Sequence, residues 1–461
     1  MGALLAAGCR HFEPRPLAPE VRSAAFDSRT LADPGLRAFL EACSGRGFES
    51  WPLARWDLRA LTLAALYFSP ELALARESAR TVEAGVQSAG ARPNPTLAVI
   101  PEYSSNPASG VVPWLAALSF DWPIETAGKR GHRIAQALHL SEAAANGLAA
   151  EAWRLRAALR SALVDLVAAR ERAASLERES ALAEELAQLL EQRRSAGAAA
   201  SSEVTLARLS ALATQSEFAL ARRGEIEARA QLAATLGLPA AAIAREEIEL
   251  GFALSRDASP ASGASALRAL ALRGRADLSA LLAEYAASQA ALQLELARQY
   301  PDLHLGPGYQ YDQGAHKWAL GLSLELPLLN QNQGPIGEAE ARRAELAARF
   351  EALQARIAGE IDRALALRDA ARDELALADE RRAAQRARLA QTRAAREAGA
   401  LGRSELRAAE LELAREQRAH LEAELALQRA LGDLEAALQQ PLEELPIAAL
   451  ELRATPPRRA P

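Results

Sequence analysis

A chain of 461 residues is long enough for two to four ordinary domains, but its composition is not that of stacked globular cores. Half of the residues are apolar and only 5% are aromatic, and long stretches of Ala, Leu, Glu and Arg read as long helices or coiled coils. A net charge of −5, with Lys and Arg spread out, gives no sign of a nucleic-acid surface, and no run of 18 or more uncharged apolar residues offers a transmembrane helix. A membrane β-barrel stays open, because each of its strands carries only a weak signal.

Residues 1–9 read M-G-A-L-L-A-A-G-C, small and apolar up to the thiol of Cys9. They resemble the end of a truncated or atypical bacterial lipoprotein signal, in which Cys9 is the acylated residue. An ordinary thiol, or a disulfide with Cys43, are the alternatives. Residues 10–57 hold Pro14, Pro16, Pro19, Pro34 and Pro52 and are expected to form an extended lead segment.

From residue 58 the chain carries one pattern twice, at an offset of about 200 residues. The first repeat spans 58–238. It opens with a helix from Leu58 to near Ser88, stopped by A-R-P-N-P. A strand pair follows at 95–103 and 114–122. Leu97, Val99 and Tyr103 share one face of the first strand, and Trp114, Ala116, Leu118, Phe120 and Trp122 share one face of the second, which Pro123 is expected to close. From Ile134 a long helix keeps alternating 4,3 spacing through Leu148, Leu155, Leu159, Leu166, Leu176 and Ala187, the mark of a left-handed coil. From near Gly128 to Arg194 the helix measures roughly 100 Å at 1.5 Å per residue. Gly197 suits the left-handed cap of that helix, and Ser202 suits the N-cap of the returning one.

Residues 239–264 read as a linker. The second repeat, 265–440, has a cleaner strand pair at 302–311 and 316–326, with Leu303, Leu305, Tyr309 and Tyr311, then Trp318, Leu320, Leu322 and Leu324, on one face. Its long helix, from about Gly334 to Glu397, contains a 4,4 step between Leu353 and Ile361, a stutter that loosens a coil and marks this strut as the one able to shift. Gly399 and Ser404 repeat Gly197 and Ser202. Residues 441–461 read as a disordered tail.

Strands of 9–11 residues match a tilted crossing of a bilayer, and Trp114, Trp122, Tyr309 and Trp318 suit a lipid-facing aromatic girdle. Four strands cannot close a barrel, so several chains must share one. One face of a soluble sheet is the plainer alternative, but no further strands supply a second layer.

Residues 320–343, L-G-L-S-L-E-L-P-L-L-N-Q-N-Q-G-P-I-G-E-A-E-A-R-R, and 119–133, S-F-D-W-P-I-E-T-A-G-K-R-G-H-R, resemble the strand-to-helix junctions of the TolC family of outer-membrane efflux proteins, especially its heavy-metal-type branch. The resemblance covers about 58–440. It implies a mainly α fold with a membrane β-barrel portion, in which a homotrimer shares a 12-strand barrel in outer-membrane lipid and long helical hairpins form a periplasmic tunnel. It further implies a passive exit duct that meets a periplasmic adaptor and an inner-membrane pump of the resistance-nodulation-division type.

Family members present Val-Gly-Leu-Ser/Thr-like text at the hairpin turns for adaptor contact. Here Gly197 with Ser202, and Gly399 with Ser404, hold those places with Ala for both Val and Leu, and simple helix capping explains them equally well. Arg403 and Glu405 sit where the family closes its aperture with charge. A Glu stabilised at a helix start explains Glu405 as readily. No phosphate loop, dinucleotide fingerprint or zinc spacing is present, so no enzyme, cofactor or metal site is expected. A lipid-anchored coiled-coil scaffold, or an adaptor protein, is the alternative function.

Overall fold

The computed structural model describes residues 12–45, 47–107, 109–243, 263–312 and 314–442. Cys9 and most of the 441–461 tail lie outside them, as does most of the 239–264 linker. The lead segment holds α1 (Pro19–Asp27) and α2 (Pro34–Ser44). The first half continues with α3 (Leu58–Phe68), α4 (Pro70–Ala89), β1 (Thr96–Tyr103), β2 (Trp114–Ile124), α5 (Lys129–Ser195) and α6 (Ser201–Leu236). The second half repeats this order with α7 (Ala264–Gly274), α8 (Ala276–Ala297), β3 (Leu303–Asp312), β4 (Ala315–Leu324), α9 (Gln333–Glu397) and α10 (Arg403–Leu438). Two compact units draw on interleaved stretches. One takes Met1–Ser69, Leu155–Arg256 and Ala371–Arg429, and the other takes Pro70–Arg154, Asp257–Ala370 and Ala430–Pro461.

The lead segment is not extended, as its prolines suggest, but partly helical. Pro19 and Pro34 stand in the first turns of α1 and α2, where a missing N–H costs nothing. Asp33 caps α2 by accepting from the Leu36 amide at 2.9 Å. Leu36 and Leu40 are buried, as are Leu31 and Trp56. The helix expected from Leu58 to Ser88 is divided at Ser69, whose backbone is extended ahead of Pro70. The second half divides at Arg275 with no proline at all.

In the first unit the 4,3 seam of α5 is buried from Leu155 to Ala187 apart from partly covered Ala169 and Ser180. A second row is buried beside it. Ala173 and Leu176 pack on Ala221 of α6, and Val164 and Ala168 pack on Leu425 of α10. Ala183 touches both, through Ala211 and Leu411. Small residues let two neighbours approach one helix, so α5 serves two seams. Polar groups lock the stack. Buried Glu179 accepts from Arg418 at 2.8 Å, and buried His420 pairs with Asp379 at 2.8 Å. Arg29 donates to the Phe68 carbonyl at 3.1 Å and the Gly237 carbonyl at 2.9 Å, joining the ends of α3 and α6.

In the second unit the 4,4 step of α9 is its best-packed part. Ile357 and Ile361 are both buried against Leu267 and Ala271 of α7, Leu278 of α8 and Leu434 of α10. The stutter therefore widens the apolar stripe to receive three partners, and the expected loosening is absent there. Beyond it Ala364, Ala371, Leu375, Ala378 and Leu389 return to heptad spacing. Arg275 closes this core. Its guanidinium is buried, forks onto Asp277 at 2.7 and 3.0 Å, reaches Glu360 at 3.1 Å and donates to the Ala437 carbonyl at 2.6 Å. Burial opposes the Asp277 charge, but the hydrogen bonds and charge of Arg275 outweigh it and hold the carboxyl below its usual range.

Replacing Arg275 with Ala strands a buried carbonyl and two carboxylates. The expected loss is about 3–5 kcal/mol, with Arg275→Lys recovering part of it. Thermal unfolding of the purified protein measures this, and an unchanged midpoint for Arg275→Ala would show that the hook does not bear on stability.

Candidate functional site

The four strands form one antiparallel sheet in the order β1-β2-β3-β4. Residue pairing carries one face across all four strands. Tyr103 faces Trp114, Ala116 faces Tyr311, Leu118 faces Tyr309, Trp122 faces Leu305, Tyr309 faces Trp318 and Leu305 faces Leu322. This face is largely apolar and open, with Trp318 81% and Leu320 74% exposed and His316 near its loop end within 2.6 Å of the Tyr309 hydroxyl. The opposite face carries Glu102, Asp121, His304, Gln310, Asp312 and Lys317, with Ile100 and Leu115, among Ala, Ser and Gly. His304 pairs with Asp121 at 3.1 Å and Lys317 with Asp312 at 2.6 Å.

The register spreads the aromatic residues along the strands. Trp114 lies tilted against Tyr103 at 4.9 Å beside the β1–β2 loop, and Trp318 lies tilted against Tyr309 at 4.9 Å on the rung of Leu118, four residues further along β2. Trp122 lies at the helix end, beside Phe120. Two strand boundaries differ from expectation by two residues, the others by at most one. β2 continues through Pro123, which pairs with His304, to Ile124, because a proline is accepted where it need not donate to the ladder. β4 ends at Leu324, two residues short of the expected limit.

Where the strands meet the helices, the first junction is pinned. The Thr126 amide and hydroxyl donate to Asp302 at 2.9 Å and to the Pro301 carbonyl at 2.6 Å. Lys129 donates to Asp302 at 2.7 Å and the Tyr300 carbonyl at 2.6 Å, and Arg133 forks onto Glu125.

At the far helix ends, Gly197 and Gly399 both adopt φ of 75°. Each ends its helix with the same pair of bonds, Ala198 N to Arg193 O at 2.7 Å with Gly197 N to Arg194 O at 2.9 Å, and Ala400 N to Ala395 O at 2.8 Å with Gly399 N to Arg396 O at 2.9 Å. A Cβ would meet nothing within 4 Å at either glycine, so the requirement is one of backbone conformation alone.

The serines do not cap as expected. Ala200 is the N-cap of α6, without a side-chain bond, and Ser202 is exposed in the first turn. Ser404 is the second residue of α10 and is buried. It accepts from Arg193 at 2.8 Å and donates to Glu405 at 3.0 Å. Glu405 in turn binds Arg193 at 2.6 Å, so the first hairpin turn is tied to the second. The Glu405 amide at the start of α10 is the main cause holding its carboxyl below the usual range. Partial burial opposes that, and Arg193 and Ser404 reinforce it. Arg403 is exposed and pairs with none of the described residues, as do Arg386, Arg388 and Arg396.

Arg193 was invisible as a site residue in the sequence, since its partners lie more than 200 positions away. Its one signal is its place four residues before Gly197. The half-buried thiol of Cys43 is free, and burial raises its pKa.

The Glu405 contribution is complete above the unfolded carboxyl value of 4.5 and is lost as the pH falls through the lower folded value. Both partners are more than a third exposed, so solvent screening keeps the pair at or below about 1 kcal/mol. Spin labels on the two turns should show a distance distribution that broadens on acidification below that range. Glu405→Gln should already be broad at neutral pH, and a variant as narrow as the parent would show that the pair does not hold the turns together.

The outer membrane efflux protein family model matches residues 62–238 and 267–439, one match to each half. Over 267 residues the chain is 28% identical to the cobalt-zinc-cadmium resistance protein CzcC of Cupriavidus metallidurans, covering 58% of this chain and 61% of that protein. Among solved structures, the outer-membrane channel OprN superposes with a TM-score of 0.68 at 20% identity, covering 90% of this chain and 98% of the other. The outer membrane protein VceC of Vibrio cholerae gives 0.67 at 21% identity, covering 85% and 100%.

Proposed function

The chain belongs to the outer membrane efflux protein family, and from that membership we propose that it is the passive exit duct of a tripartite efflux system in the outer membrane. The carrying observation is the four-stranded sheet, which has one open apolar face and two edges without a partner strand among the described residues. Such a sheet is stable in hydrocarbon only when its edges are closed by other strands. Three copies supply twelve strands, so the working form is a homotrimer. Trp114 at the loop end and Trp122 at the helix end serve as lipid-facing girdle residues, with Tyr309 and Trp318 lipid-facing between them along the strands. Cys9 is the expected lipid anchor.

The turns at Gly197 and Gly399, with Ser202 and Ser404 beside them, are the adaptor-contacting ends, and the adaptor links them to an inner-membrane pump of the resistance-nodulation-division type. Energy comes from that pump, and this chain performs no enzymatic step. Since CzcC is named for cobalt, zinc and cadmium resistance, divalent metal ions are the cargo to test first. For the aperture the charge pattern favours Arg403 over Glu405, because Glu405 is engaged by Arg193 whereas Arg403 is unpaired among the described residues. Three copies of Arg403 around a constriction would favour anions and repel free divalent cations, so metal cargo would have to be driven past the ring by the pump.

Two measurements test this reading. Alkaline washing of membranes should leave the protein in the pellet until detergent is added, and release by the wash alone would return it to a peripheral scaffold. In planar bilayers under a KCl gradient, Arg403→Glu should move the reversal potential toward that of potassium. An unchanged potential removes Arg403 from the aperture.

A further inference from the structure

Strand β4 does not end its apolar face where its ladder ends. The last rung pairs Leu303 with Leu324, and by alternation Leu326 continues the face of Trp318, Leu320, Leu322 and Leu324. The Leu328 amide then donates to the Leu326 carbonyl at 2.8 Å, closing a three-residue turn around Pro327. Leu328 and Leu329 follow at 77% and 100% exposure.

This is a held loop. Asn332, in the left-handed region at φ 64°, donates to the Glu295 carbonyl at 2.8 Å and to its carboxylate at 2.9 Å, at the end of α8. The Asn332 amide bonds the Asn330 side chain at 2.9 Å, and the Gln331 amide bonds Gln333 at 3.1 Å. Three leucines are thus presented between the last rung of a sheet and a polar clamp. In the first half Trp122 and Ile124 hold the places of Leu326 and Leu328 and are likewise exposed, but Glu125 stands where Leu329 does and is bonded inward with Thr126 and Lys129.

We propose that Leu326, Leu328 and Leu329 form a knuckle that inserts into the phospholipid leaflet on the helix side of the membrane. The proposal rests on the β4 face being lipid-facing, and it adds an anchor separate from Cys9. Continuity with that face places the leucines at membrane depth. No charged side chain between Glu325 and Glu338 opposes entry. The polar Asn and Gln residues behind them suit the headgroup layer, where water and side chains satisfy irregular backbone. A second copy joined at the free β4 edge would pair through its backbone, in the plane of the sheet, and leave this face uncovered.

The test uses the full chain carrying Cys9→Ser and Cys43→Ser, with single labels at Leu329→Cys, Leu320→Cys or Ser202→Cys. Each variant is reconstituted in phosphatidylethanolamine–phosphatidylglycerol vesicles. Nitroxide power saturation should give Leu329→Cys an oxygen-to-nickel-chelate accessibility ratio close to that of Leu320→Cys and several-fold above that of Ser202→Cys. If Leu320→Cys is lipid-exposed while Leu329→Cys matches Ser202→Cys, the knuckle is overturned and the lipid-facing strand stands. If Leu320→Cys is itself water-exposed, the underlying reading falls. An immobilised label at Leu329→Cys that neither collider reaches, with disulfide-linked dimers on oxidation, assigns the site to a neighbouring copy.

Discussion

An open sheet edge is the constraint from which the other features follow. In hydrocarbon no water satisfies a free N–H or C=O, so four strands with two bare edges are incomplete by themselves. The chain meets the rest of the requirement within itself. One face is largely apolar across β1 to β4, with His316 near its loop end, and the charged residues are gathered on the other. The pinned junction at Thr126 and Lys129 joins the foot of β2 to the foot of β3, and so fixes how one half's hairpin enters the sheet beside the other's. Duplication supplies an even number of up-and-down strands, which lets copies close edge to edge without a mismatch of direction.

The helices solve a different problem. Long Ala-rich helices bury little area per contact, so their ends are where alignment is decided. Each unit places one arginine on the carbonyls of a returning helix, Arg29 on Gly237 and Arg275 on Ala437. These carbonyls lack intrahelical donors, and a guanidinium satisfies them while spanning to a second element. The 4,4 step at Ile357 and Ile361 belongs to this scheme. Where α7, α8 and α10 converge, a narrow heptad seam is too thin, and one extra residue in the spacing broadens it.

Much of this was legible in the sequence because it is periodic or punctuated. Alternation at Leu303–Tyr311 marked the strands, 4,3 spacing marked the α5 seam, and Gly197 and Gly399 marked the turns before their φ values were known. What escaped was non-local or depended on position within an element. Pro19 and Pro34 look like breakers until the helix is known to start at them. Ser202 and Ser404 look like caps, yet the helices begin one residue earlier. Arg193 pairs across more than 200 positions, a distance over which local pattern carries no information. The stutter in α9 was visible, but its sign was not, since a break in a heptad weakens a two-helix seam and strengthens a junction of several.

The two halves of the duplication differ along their long helices, a 4,3 seam in α5 and a 4,4 step in α9, and also at their ends. At the turns both keep the same glycine cap. At the first turn Arg193 and Arg194 are neutralised by Glu405 and Glu191, whereas at the second Arg396 and Arg403 have no acidic partner among the described residues. At the strand-to-helix junctions both halves expose apolar residues, Trp122 and Ile124 in the first and Leu326 and Leu328 in the second, but the first bonds Glu125 and Thr126 inward where the second exposes Leu329. A duplicated unit that needed only to stand up would gain nothing from such differences, because packing constrains both copies alike. Unpaired charge at the second turn and the exposed Leu329 at the second junction are therefore differences that packing alone does not require.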